Sequence, residues 1–163
     1  MSSSVKATNS RIRGWLILFI VLLVLSGITA FPIQWELELA YDFMNSLPKD
    51  NWFSIWYFKI LQGITDTNSK YPFIAYGTDW LAFAHIVIAV AFIGPLRDPV
   101  KNIWVIEWGM IACVLVIPLA MLAGEIREIP LFWRLIDCSF GVFGIIPLWL
   151  VRREIKKLSV QIL

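Results

Sequence analysis

Arg134, Asp137 and Cys138 stand at i, i+3 and i+4, so a helix carrying them presents all three on one face. His85 is the sole histidine. Imidazole changes charge near neutral pH, so a histidine beside a carboxylate is suited to carrying protons. Asp137 is the expected partner of His85, with Arg134 placed to bind an anion. Glu125 and Asp79 complete this candidate pocket, and Glu107 stands apart as the candidate inner station of a proton or ion path.

Each assignment has a plainer alternative. His85 serves equally as a hydrogen-bonded packing residue. Arg134 and Asp137 can neutralise each other on one helix turn, and a buried ion pair is weak evidence of function because desolvation opposes it. Glu125, with Arg127 and Glu128, suits a solvated helix end. Glu107 can pair with Lys101 or Arg97.

No cofactor or metal is expected. His85 as a metal ligand would need Asp137, Glu125 or Cys138 beside it, and no HExxH or CxxC spacing supports such a site. One histidine excludes a haem held by two. Cys113 and Cys138 fall at different depths along their segments, which predicts two free thiols. The chain has no P-loop, no GxGxxG, no GxSxG and no zinc-protease signature.

The residues around these groups define what must hold them. Hydrophobic residues make up 59% of the 163 positions, and charged residues 16%. Mean hydropathy is +0.74. A soluble domain is nearer ~45–50% apolar and ~25% charged, so these values point to a polytopic membrane protein. A net charge of +2 gives no reason to expect a nucleic-acid partner.

Four stretches approach the ~20 apolar residues needed to cross a bilayer: about 14–31, 79–96, 102–124 and 131–151. YPFIAYGT ahead of the second can lengthen it. Backbone groups cannot go unpaired in lipid, so all four are expected to be helical. The predicted fold is all-α, a single membrane domain over 1–163 with an antiparallel four-helix transmembrane bundle and an outer, partly helical loop. Pro118 and Pro147 lie inside spans three and four and are expected to kink them. Gly141 and Gly144 in FGVFG signal close helix packing.

Lys and Arg set the orientation. Nine fall on the side holding both termini and five on the other, which also gathers most of the acids. Both termini are therefore expected in the cytoplasm, with the loop LRDPVKN. The N-terminal apolar run reads as an uncleaved signal anchor. If span two enters near Thr78, His85 lies about 10 Å deep, and Asp137 lies about 9 Å deep from Leu131. That match places the candidate pocket toward the outer face. The basic tail RREIKKL suits attraction to anionic lipid.

The outer loop, 35–78, begins WELELAYDFMNSLP, where Pro48 ends any helix. NWFSIWYFKILQG then reads as a short helix lying at the membrane surface, where Trp and Tyr are favoured. TDTNSKYP reads as a turn or loop. The loop is expected to be a lid, a docking surface or a plain interfacial anchor. The leading functional expectation is a non-enzymatic accessory or binding subunit of a membrane complex, with the lipid bilayer and other membrane subunits as partners. The alternative is a carrier or enzyme working at the outward pocket around His85, Asp137 and Arg134. Small size and the lack of any N-x-S/T sequon suggest a bacterial inner membrane.

Overall fold

The computed structural model describes residues 3–162, and side chains from 5 to 160. Among these residues the chain is all-helical, with no strand. In order the helices are α1 (Ser3–Ala30), α2 (Ile33–Leu39), α3 (Tyr41–Ser46), α4 (Trp52–Lys70), α5 (Tyr76–Ala91), α6 (Ile93–Arg97), α7 (Ile103–Ile126) and α8 (Leu131–Ile162). A single 3-10 turn, Pro72–Ile74, precedes α5.

Four stretches are long and apolar enough to cross a membrane: Val5–Ala30, Pro72–Arg97, Ile103–Ile126 and Leu131–Val160. They contain most of each expected span and extend several of them. Lys6, Arg11 and Arg13 continue α1 upstream, because Lys and Arg are good helix formers whatever their hydropathy. RREIKKL likewise prolongs α8. The second stretch begins with residues of YPFIAYGT and breaks at Phe92, between α5 and α6. Pro95 explains the break, because it has no N–H to offer the Ala91 carbonyl one turn back.

The chain forms two compact units, residues 23–88 and residues 1–22 with 89–163. In the first, Asn51 caps α4 by accepting a hydrogen bond from Phe53 N at 3.0 Å. No Gly or Pro interrupts its polar end before Pro72, so the helix runs for 19 residues to Lys70. TDTNSK is therefore the last part of α4, not the expected loop. Pro48 does end the preceding helical segment, since α3 stops at Ser46. Tyr57 ties α4 to α2 by donating its hydroxyl to the Leu37 carbonyl. Tyr41 of α3 meets Phe58 edge-on at 5.8 Å. On α1, Gly27 lies so close to α5 that an added Cβ would sit 2.8 Å from Ala82 O.

The second unit is built on the hairpin of α7 and α8. Its fully buried residues on α8 are Leu148, Val151 and Ile155, spaced three and four apart as one helix face requires. Ile12 and Leu16 of α1 repeat that spacing and are also fully buried. Phe92 is buried as well, 4.7 Å from the Phe19 ring centroid of α1 and 6.4 Å from that of Trp108 of α7. Asn102 closes the α6–α7 connection by donating to Gly94 O and Asp98 O. At the other end of α7, Glu128 adopts φ 56°. Ile129 N donates to Gly124 O and Glu128 N to Glu125 O, the paired bonds of a Schellman C-cap.

Candidate functional site

The ionisable residues of the α7–α8 hairpin are organised by the register of the two helices. Arg152 Nε donates to Glu107 Oε1 at 2.8 Å. At the opposite end Arg134 pairs with Glu125 and reaches Met121 O at 3.4 Å. Gly124 makes room for this second pair, since an added Cβ there would strike the Arg134 stem. Between the pairs, the Cys113 carbonyl packs directly on Gly141, where any Cβ would overlap it. Cys113 Sγ also lies against Gly144. Small residues thus bring the two backbones together, as FGVFG suggested. Both cysteines are free thiols.

These contacts revise several expectations. Arg134 takes Glu125 as its partner and not Asp137, although Asp137 is three residues away on the same helix. The reach across the hairpin is open at Gly124, and it brings Arg134 to a carboxylate at the α7 terminus. Glu125 is exposed at the helix end, as a solvated charge would be, and is also the ion-pair partner of Arg134. Glu107 pairs with Arg152, not with Lys101 or Arg97. Asp137 is half-buried and makes no ion pair among the described residues.

His85 and Asp79 belong to the unit of residues 23–88. Leu81 O lies 2.8 Å from His85 Nδ1. A carbonyl only accepts, so Nδ1 is the donor in this contact. The His85 Cβ also lies 3.1 Å from the Cβ position of Gly27. His85 thus makes a hydrogen bond within its own helix and packs against α1. Among the described residues no three His, Cys, Asp or Glu side chains gather as a metal site requires.

Asp79 borders a cleft of about 690 Å³ in the unit of residues 23–88, a feature that no sequence motif signals. Its walls come from the α1–α2 connection, α2, α4, the 3-10 turn and the start of α5. Ile33, Trp35, Ile60 and Ile64 make it mainly apolar. One side carries a hydrogen-bonded chain: Asn68 Nδ2 donates to Gln34 Oε1 at 2.7 Å, and Gln34 Nε2 donates to Glu38 Oε1 at 2.8 Å. Asn68 lies in the segment whose polar composition resembled a loop. Only the helical continuation of α4 brings it to α2, and that long-range pairing leaves no local signature.

No family model matches the chain, and no curated protein and no solved structure matches it.

Proposed function

We propose that the chain is a four-span integral membrane protein, an antiparallel helical bundle of the bacterial inner membrane with both termini in the cytoplasm. In this reading it serves as a non-enzymatic accessory or binding subunit of a membrane complex.

Uncovered apolar surface carries the proposal. In each of the four apolar stretches only 17% to 28% of an apolar 18-residue segment is buried within the chain. Leu22, Leu25, Leu115, Leu119 and Phe143 are all exposed. Apolar area left in water costs about 25 cal/mol per Å². Lipid tails and the apolar helices of another subunit both remove that cost.

The ion pairs support the lipid part. Glu107 and Glu125 are eighteen residues apart, as are Arg134 and Arg152. That is about 27 Å of helical rise, against a hydrocarbon core of about 30 Å. A membrane around this hairpin would hold one pair at each rim, where charges are tolerated. The nine-to-five division of Lys and Arg supports the orientation. The subunit part is supported by the use of the charges, since four ionisable side chains are engaged in joining α7 to α8.

Three experiments test the reading. Reporter fusions are expected to place both termini in the cytoplasm, and carbonate washing is expected to leave the chain in the membrane. Purification of a tagged chain in mild detergent is expected to recover a second polypeptide at fixed ratio. Recovery of the chain alone overturns the subunit reading.

One observation favours the carrier or enzyme alternative. Asp137 has no ion-pair partner among the described residues, although it lies inside an apolar stretch. Asp137→Asn separates the two readings: loss of a cellular phenotype at unchanged protein level favours the alternative.

A further inference from the structure

We propose that the cleft in the unit of residues 23–88 binds an amphiphile with an ammonium head and a single hydrocarbon chain.

Size, lining and charge agree on this class. About 690 Å³ lies within the ~300–1,000 Å³ typical of small-molecule sites. The apolar wall of Ile33, Ile60 and Ile64 suits a hydrocarbon chain. Gly63 of α4 borders the same space, and an added Cβ there would meet nothing within 4 Å. A glycine facing open volume keeps the cleft clear along the helix.

The polar margin selects the head group. Glu38 and Asp79 both line the cleft, and its described lining contains no Lys, Arg or His. Glu38 receives one hydrogen bond, from Gln34 on Oε1. Neither carboxylate makes an ion pair among the described residues, so neither charge is offset locally. An anionic head would meet two like charges and no cation. An ammonium head meets a lining whose only charges are carboxylates, and the Trp35 indole in the same lining offers a cation–π surface. The Gln34–Asn68 bridge holds α2 against α4 and so fixes Glu38 at the rim.

This inference is independent of whether the chain docks on another subunit. The test is native mass spectrometry of the full-length protein in maltoside micelles. The probes are dodecyltrimethylammonium, dodecyl sulfate and tetramethylammonium. One saturable dodecyltrimethylammonium adduct is expected, with neither dodecyl sulfate nor tetramethylammonium retained. Gly63→Leu fills the space without meeting backbone and is expected to weaken binding at least tenfold. Glu38→Gln with Asp79→Asn is expected to do the same. Gly77→Leu adds the same bulk at a glycine that is equally open but lies outside the described lining, and it is expected to bind normally. Circular dichroism checks that each variant keeps its helices. Equal retention of dodecyl sulfate, or unchanged affinity in folded Gly63→Leu, overturns the proposal. Should Gly63→Leu fail to fold, unchanged affinity in the double carboxamide variant overturns it instead.

Discussion

Arg152 of α8 donates to Glu107 of α7 at 2.8 Å, and the two residues are equidistant from the junction of Ile129 and Pro130. Arg134 and Glu125 are equidistant from the same point. The turn therefore sets a register in which both acids of α7 face a base of α8. Both pairs result from one geometric fact, an antiparallel hairpin folded about its C-cap.

The pair at the open end of the hairpin should be separable from its neighbours. Its side chains are partly exposed, so it is expected to contribute about 1 kcal/mol or less. Arg152→Gln should lower stability by that amount, and Glu107→Gln added to it should cost nothing further. Denaturant titration in detergent over the four members of the cycle measures the coupling. Strictly additive losses would show that the two groups do not interact.

Gly141 should be the least tolerant position in the hairpin. Its Cβ would fall on the Cys113 carbonyl, which is backbone and cannot rotate away. Gly141→Ala therefore forces α7 and α8 apart, at an expected cost of about 1–3 kcal/mol. Gly14→Ala is the comparison, because a Cβ there meets nothing within 4 Å and gains helix propensity. Thermal unfolding should lower the midpoint for the first and leave or raise it for the second. Equal tolerance at both glycines would contradict the close approach.

The positions of the long helices are legible in the sequence because apolar composition and span length are local properties. The pairing of charges is less so. Reading Arg134, Asp137 and Cys138 as one face is correct helical geometry, yet it leaves out the other helix. Reflecting the sequence about the junction of Ile129 and Pro130 would have matched Glu125 with Arg134 and Glu107 with Arg152. The cleft is harder still. Gln34 and Asn68 are far apart in the chain, and TDTNSK carries turn-like residues inside a helix. Tertiary hydrogen bonding overrides local propensity there, and no periodicity reports it.

Tyr57 gives the helices of residues 33–70 a pH dependence. Burial pushes its phenol above the ordinary tyrosine range, and the nearby Tyr41 pushes it in the same direction. The neutral hydroxyl is the donor to Leu37 O. Because the folded value is raised, the stabilisation is fully present below the unfolded value of about 10. It is lost as pH rises from there through the higher folded value. Tyr57→Phe should cost about 1 kcal/mol at neutral pH. It should also remove this tyrosine's part of the alkaline loss, so that the two proteins converge above pH 10. Helix content followed by circular dichroism during denaturation at pH 7 and pH 11 provides the check, and a constant difference between them would count against the hydrogen bond.

Glu128 should be a site where stability is readily gained. It occupies the left-handed position of the α7 C-cap, at φ 56°, where its Cβ crowds the following carbonyl. Glycine has no Cβ and is the usual occupant of this position. Glu128→Gly is expected to raise stability by up to about 1 kcal/mol, because the relief of steric strain outweighs the greater freedom gained by the unfolded chain. Glu128→Val should have the opposite effect, since β-branching makes a positive φ harder to hold. The order glycine, glutamate, valine in thermal midpoint is the expected outcome. A valine variant as stable as the parent would mean that the turn between α7 and α8 takes another conformation in solution, and the register that joins Arg134 to Glu125 would then lose its anchor.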